Sequence, residues 1–384
     1  MKQFDIIIVG GGMVGQALAL SLSKQNNSIA IIEPSNPNPT LKDDFHTRVS
    51  AITPKSEQLL ASLGVWANIK RKQAFKTTKV WDQNSHGNLA FSAEDEGLER
   101  LGHIVENDAI QSALYQCLEA TNVEFFSARV ENLKKIDEGY EVELDNQSSL
   151  SCRLLIGADG ARSKVREIAG IATTDTDYQQ KAIVCNIESA KGFKGTTWQR
   201  FLSNSIIALL PLDDNKASIV WSAEDSLAAE LTQLSKEEFA KQLSAGVEYR
   251  FGEFKVVSDI QAFPLIERSS QDYVKANLAL VGDAAHNIHP LAGQGVNLGF
   301  SDVIELSKQL SDNNSNLGDY GVLRKYARAR RLDNELMAKT MTGLNWIYKE
   351  NNEPLRWLRG FGMNLINDNS TLKSFFQKHI TGKQ

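Results

Sequence analysis

The chain has 384 residues, 42% of them hydrophobic and 23% charged, an ordinary globular balance that excludes a disordered or low-complexity protein. Its formal net charge of -5 gives no reason to expect nucleic-acid binding. Three widely spaced cysteines, Cys117, Cys152 and Cys185, exclude a disulfide framework and a CxxC metal site, and fit a reducing cytosol. From the N-terminus, "FDIIIVG" is a continuous β-branched run, as in a strand buried on both faces. "GGGMVG" is a turn, and "MVGQALALSLSKQ", rich in Ala and Leu, predicts a helix. "SIAIIE" predicts a second strand ending at Glu33, after which "PSNPNPT" breaks regular structure. "NDAIQSALYQCLEA" opens on Asn/Asp with helical apolar spacing, which puts Asn107 at the capping position. "RLLIGADG" and "LALVG" predict two further buried strands. Between them, from about Tyr178 to Leu265, "AIVCNIE", "SIIALLPL", "ASIVWSAE" and "FKVVSDIQAFPL" predict β-strands separated by turns. From about Ser301 the chain reads as helical to its end. The first apolar run is too short for a signal peptide, and no stretch approaches the ~18 apolar residues of a spanning helix.

The turn after the first strand contains G-x-G-x-x-G, as Gly10, Gly12 and Gly15. The first glycine permits the turn, the second lets backbone approach a pyrophosphate, and the third lets helix meet strand. The helix start, at Met13 and Val14, offers unpaired N–H groups to phosphates. Glu33 follows at the end of the second strand, where a carboxylate can accept hydrogen bonds from a ribose diol. The pattern implies a dinucleotide without saying whether it is FAD or NAD(P). Two further segments, "LLIGADGARSKVR" with Asp159 and Gly160, and "GDAAHNIHPLAGQGVNLG" from Gly282 to Gly299, follow in order.

With these three motifs the sequence resembles the class A flavoprotein monooxygenases of the para-hydroxybenzoate hydroxylase-like fold. The resemblance covers nearly the whole chain and sharpens to the ubiquinone-biosynthesis ring hydroxylases through "VGGGMVGQALAL", "RVSAI", "LGVW", "LGHIVEN", "LIGADGARSKVR", "FPL" and "GDAAHNIHPLAGQGVNLGF". "VWDQNSHG", "LGHIVEN" and "DYQQKAIV" are most similar to the 2-polyprenylphenol hydroxylase branch. Asn287 departs from the pattern, standing where relatives usually carry Thr.

The resemblance implies an α/β fold: a discontinuous Rossmann-type FAD-binding domain (1–75, 100–177 and 273–320), an inserted β-sheet substrate domain (76–99 and 178–272) and a C-terminal helical region (321–384). It implies that FAD is held by Gly10, Gly12, Met13, Val14, Gly15 and Glu33, by Arg48 near the flavin, and by Asn107 near the phosphates, where relatives often carry arginine. Val130 matches a backbone contact to adenine, and Asp159 lies near the pyrophosphate and the path of NADPH. Gly282 and Asp283 serve the ribityl side, and Pro290, Gly293, Gln294, Gly295, Val296 and Asn297 bring backbone against the flavin ring. The start of the helix after Gly295 faces the part of the ring where negative charge collects on reduction. His289 and Pro290 are the expected catalytic residues, as site-formers rather than acid or base. His286 and His289 lack a third ligand at metal spacing, and Pro290 breaks a helix there, so no metal is expected.

The implied reaction uses NADPH or NADH as a transient reductant and O2, and hydroxylates a polyprenylated phenol or quinol through a flavin C4a-hydroperoxide. The protein is expected to be cytoplasmic, with a peripheral place on the inner membrane face or among other ubiquinone-biosynthesis proteins as a variant. From Gly321 to Gln384 twelve Lys and Arg face five Asp and Glu, a local charge of +7. There Trp346, Tyr348, Trp357 and Phe361 interleave with Lys349, Arg356 and Arg359, which suits either a membrane surface or a helical tail packed on the core. Two rivals stand beside the main reading. One is a sister hydroxylase acting at another ring carbon, such as a methoxy-benzoquinol hydroxylase. The other is a non-catalytic FAD-binding subunit of a biosynthetic complex.

Overall fold

The computed structural model describes residues 1–83, 87–287, 295–313 and 316–349, with side chains through Glu335 apart from Glu96. The mainly parallel sheet is built around the strand Lys2–Val9. Its main path runs Val274–Lys275, Leu278–Leu280, Ser149–Gly157, Lys2–Val9, Ile29–Ile32 and Glu124–Phe126, and the hairpin Val130–Ile136/Gly139–Leu144 pairs back onto Ser149–Gly157. The pairs from Leu278–Leu280 to Glu124–Phe126 are all parallel. Ile6, Ile7 and Ile8 lose all solvent exposure. A strand covered on both faces reads as an unbroken apolar run, which is the pattern of "FDIIIVG". The helices Met13–Ser23, Asn107–Leu118 and Gly295–Ser311 pack beside one another at this sheet.

The second sheet has nine strands and is largely antiparallel. On one face Ile183, Cys185, Ile187, Ile207, Leu209, Ile219 and Trp221 are covered by Phe239, Leu243 and Leu231 of two helices, Asp225–Gln233 and Lys236–Gly246. On the other, Leu210 and partly buried Val220 meet Phe45, Val49, Ala51, Phe75 and Ile104. Most of these belong to a small sheet of Val49–Ile52, Gly102–Glu106 and Gln73–Phe75. The alternation of residues between two covered faces follows from the period of two along a strand.

Several expectations need correction. The β texture predicted between 178 and 265 is interrupted by the two helices at 225–246; a capping box, Ser235 with Glu238, starts the second of them. The strand Thr173–Ser189 belongs to the nine-stranded sheet along its whole length, so that sheet begins before 178. Its two halves stay in one ladder because a bulge between Asp177 and Lys181 absorbs the register shift. Asn107 is the first helical residue rather than the cap, which is Glu106. The Asn107 Oδ1 instead accepts a hydrogen bond from Ser50 Oγ at 2.7 Å. The C-terminal helices are Gly295–Ser311 and Tyr320–Lys349. Among the described residues no helix is long and apolar enough to cross a membrane. The aromatic and basic side chains singled out between Trp346 and Phe361 lie outside the described residues.

Candidate cofactor site

Four adjacent parallel strands deliver motif residues from their carboxyl ends. Lys2–Val9 leads to Gly10–Gly15, Ile29–Ile32 to Glu33, Ser149–Gly157 to Asp159, and Leu278–Leu280 to Gly282 and Asp283. Loops at that edge of a parallel sheet form the usual ligand crevice of open α/β folds. The structure therefore brings together residues up to 273 positions apart in sequence, Gly10 and Asp283 being the extremes.

The glycines divide into two kinds. At Gly10, φ is +109° and an added Cβ would lie 2.3 Å from the Ala158 carbonyl oxygen. At Gly15 it would lie 2.0 Å from the Gly10 carbonyl oxygen, and at Gly11, which the motif does not require, 2.8 Å from Glu33 Cβ. The protein itself demands these three. Gly12 differs: φ is -75° with ψ -175°, open to any residue, and a Cβ there meets nothing within 4 Å. A Cβ on Gly295 likewise meets nothing within 4 Å among the described residues. Glycine costs about 0.5–1 kcal/mol more backbone entropy than alanine. Among the described residues no clash gives a reason for it at these two positions, and each stands at the start of a helix. A ligand approaching both helix starts does give one. The helix Met13–Ser23 has no side-chain cap on its N–H groups, consistent with a bound anion.

The loop is held from behind. The Gln16 amide donates to the Gly11 and Pro37 carbonyls at 2.7 and 2.8 Å, and Gln111 reaches the same two at 3.3 and 3.2 Å. Glu33 accepts from the Gly11 N–H at 2.7 Å and from the Ser35 N–H at 2.9 Å. Each carboxylate oxygen keeps a further lone pair for a diol. The Val14 side chain packs within the protein. A Cβ on Gly299 would come 2.5 Å from its Cγ2, and one on Gly282 3.3 Å from both its methyls. Val14 thus joins the first and third motifs by packing, and only its backbone is left to face a ligand.

Asp159 accepts from the N–H groups of Lys164 and Val165 at 2.7 and 3.1 Å, and its Oδ1 is buried without a hydrogen-bond partner. Buried Arg166 ties this motif to the next, donating to the Ala161 carbonyl and the Ala284 carbonyl, both at 2.8 Å. Asp283 keeps accessible surface, yet protein mass around it pushes its carboxyl above the usual carboxylate range by desolvation; the charges of His286 and Arg48 oppose that push. Arg48 is exposed, lies over the Phe263 ring at 5.7 Å, and shares the field of Asp283. Val130 is buried at the start of the strand Val130–Ile136. The Asn297 side chain is spent within the protein: it accepts from the Thr53 N–H at 3.1 Å and donates to the Ala51 carbonyl at 2.8 Å. Asn287, the departure from the pattern, donates to the Ile266 carbonyl at 3.1 Å across a strand pair. His289, Pro290, Gly293 and Gln294 lie outside the described residues.

Sequence reasoning missed a buried polar group beneath the third motif. Asp302, fully buried, accepts from the Gly282 N–H at 2.8 Å, meets His286 Nε2 at 2.6 Å and accepts from Arg330 Nε at 2.7 Å. Burial alone would raise its carboxyl, but His286 and the Arg330 guanidinium outweigh that and hold it below the usual range. His286 is therefore bound into a carboxylate network.

These residues fit FAD. Open space at Gly12 and Gly295, the uncapped helix start, the orphan Asp159 oxygen and the carboxylates Glu33 and Asp283 would serve its pyrophosphate, ribose and ribityl groups. The comparisons agree. A family model described as an FAD binding domain matches residues 3–340. The 3-demethoxyubiquinol 3-hydroxylase of Escherichia coli (strain K12) is 36% identical over 388 residues, covering 98% of this chain and 98% of its own. The mitochondrial ubiquinone biosynthesis monooxygenase COQ6 of Homo sapiens is 32% identical over 426 residues, covering 96% of this chain and 91% of its own. Among solved structures, the p-nitrophenol 4-monooxygenase PnpA from Pseudomonas putida DLL-E4 matches with a TM-score of 0.80 over 100% of both chains; at 17% identity it speaks for the fold alone.

Proposed function

The chain belongs to the FAD-dependent hydroxylases of ubiquinone biosynthesis, and from that premise we propose that it places one oxygen atom of O2 on the aromatic ring of a polyprenylated phenol or quinol, with NADPH or NADH as reductant. The observation that carries the reading is the open space at Gly12 and Gly295, glycines at two helix starts that leave room for a ligand's negative groups. When bound there, FAD would supply the redox chemistry that links the nicotinamide reductant to O2.

The chain's own part is to bind, orient and exclude water. Helix starts at Met13 and Gly295 direct backbone N–H groups toward negative charge. Asp283 accepts from ribityl hydroxyls, and Arg48 at the rim favours the ionised carboxylate. By resemblance, His289 and Pro290 are assigned to the space beside the ring. Apolar cover for an aromatic head and the start of a prenyl tail would come from the domain that carries the nine-stranded sheet. We assign 76–99 and 178–272 to this cover, and the basic C-terminal region to a peripheral contact with anionic lipid, where such a substrate would be collected.

The test is direct. Purified protein with FAD, NADPH and isotopically labelled O2 is offered a prenylphenol and a demethoxyubiquinol in parallel. Incorporation of label into one product supports the proposal and names the ring carbon. The E. coli relative's name favours the second substrate; the motifs matching the polyprenylphenol branch favour the first. Bound FAD with no labelled product from either would sink the reaction and leave a binding subunit.

A further inference from the structure

The helix Tyr320–Lys349 has an inner face that reaches the cofactor loop. Leu323, Tyr326, Arg330 and Asn334 follow at helical spacing and are all buried, whereas Arg324, Lys325, Arg328 and Leu332 are exposed. Tyr326 donates its hydroxyl to the Leu280 carbonyl at 2.8 Å, at the end of the strand that leads to Gly282. Arg330 is 4% exposed. Its guanidinium donates to Asp302 at 2.7 Å, to Asp333 at 2.8 Å and to Asn334 at 2.9 Å. Asn334 in turn reaches the Tyr273 hydroxyl at 3.3 Å, and the Tyr273 ring lies 5.7 Å from that of His286. Asp302 is thus, among the described residues, the carboxylate through which the helix, the Gly282 N–H and His286 are joined. Both neighbours of Asp283 in the fold, Gly282 before it and His286 after it, hang on Asp302. The same loop is also held by Arg166 on the Ala284 carbonyl, by the Ala285 N–H on the Gly282 carbonyl at 2.9 Å and by the packing of Gly282 on Val14.

We propose that Arg330 is a positioning residue for the flavin cofactor: acting through Asp302, it makes the ribityl-facing loop and the docking of the C-terminal helix one cooperative unit. The inference rests on the reading of Gly282–Asp283 as an FAD contact. Removing the guanidinium leaves a buried Asp302 charge with one fewer partner, and the groups that still hang on it, the Gly282 N–H and His286, lie in the loop. Coupling of this kind is reciprocal: what holds the helix tightens FAD, and FAD tightens the helix by the same factor.

The experiment uses the full chain stripped of FAD and reloaded. In wild type, hydrogen exchange should slow at the amides of residues 323–334 when FAD is added, although the helix lies behind the loop and offers its inner face to Asp302. Arg330→Met should weaken FAD about 10- to 100-fold by fluorescence titration and abolish that slowing; Arg330→Lys should restore part of both. Leu332→Ser, on the exposed face, should match wild type in both measurements. A residue that is merely structural predicts something else: Arg330→Met lowers the melting temperature, FAD affinity stays at the wild-type value, and exchange in the helix ignores FAD. That result overturns the proposal while leaving the functional reading intact, since wild type still binds FAD. If wild type takes up no FAD, the functional reading itself fails. Should Arg330→Met not fold, the exchange measurement on wild type alone still decides.

Discussion

The two large sheets do their work from different places. In the mainly parallel sheet the strands are buried filler, and the functional groups stand beyond their carboxyl ends, at Gly10–Gly15, Glu33, Asp159 and Asp283. In the nine-stranded sheet the short edge strand His286–Asn287 belongs to the third motif; for the rest, one face lies under helices and the other faces the small sheet and the 45–51 segment. One sheet offers an edge, the other a wall. An edge tolerates few changes, because each loop residue meets either backbone or ligand. A wall tolerates many, provided each face keeps its volume.

That contrast can be broken most forcefully at Gly10. Gly10→Val sets a branched side chain against the Ala158 carbonyl at an unfavourable φ, and we expect a loss of ~4 kcal/mol or more, seen as insoluble or unfolded protein by circular dichroism. A folded Gly10→Val protein would refute the division of glycines. On the wall, Phe239→Ala empties a fully buried site beneath the sheet and should cost ~3–5 kcal/mol in urea unfolding, with FAD affinity of the folded fraction unchanged. An equal loss of FAD affinity would show that edge and wall are not separable. Gly12→Val should leave the melting temperature of the FAD-free protein near wild type but weaken FAD at least ~100-fold, about 2.7 kcal/mol, because its side chain occupies only ligand space. Normal FAD retention on dialysis would contradict it.

The smallest effect sharpens the edge itself. Asp302 and Asp283 sit in one loop network with opposite pH signatures. The Asp302 carboxyl is lowered on folding, so its contribution is present above the unfolded carboxylate range and is lost as pH falls through the folded value. The Asp283 carboxyl is raised, so its ionisation costs stability, absent below the unfolded value and complete once pH exceeds the folded one. In FAD-free protein, Asp302→Asn should therefore lower stability at neutral pH and blunt its fall on acidification. Asp283→Asn should modestly raise neutral-pH stability while weakening FAD ~10-fold through lost charge-assisted bonds. Melting curves of both variants between pH 4 and 8 measure this; a destabilised Asp283→Asn protein at neutral pH would reverse the assigned sign.

The edge is far more legible in the sequence than the wall. Continuous runs such as "FDIIIVG", glycines at fixed offsets and an acid after the second strand are local signals, and by themselves they place a ligand crevice at the carboxyl ends of the strands. The helices at 225–246 are hidden between strands of strong β texture, although Ser235 and Glu238 carry a capping signal that could expose them. The G-x-G-x-x-G offsets already assign Gly10 to the turn and Gly12 to the ligand, and the structure agrees: Gly10 has a positive φ and a Cβ there strikes Ala158, whereas at Gly12 it strikes nothing. The Asp302–Arg330 pair has no local signature: it forms across two helices and the turn between them, and only packing brings it together. Asn297 misleads in another way, its side chain being committed to Thr53 and Ala51, a partner segment almost 250 residues earlier.

The central position of Lys2–Val9 has a consequence for biosynthesis. Once this apolar strand has been made, Ile29–Ile32 covers one of its edges almost at once. The other edge must wait for Ser149–Gly157, and the next strand out, Leu278–Leu280, comes later still. At roughly 5–20 residues per second that wait lasts on the order of ten seconds. During it the nascent protein carries an unpaired hydrophobic edge, a template for association with other unfinished chains. Slow production, low temperature or ample chaperone should thus improve the soluble yield more than any substitution on the finished surface.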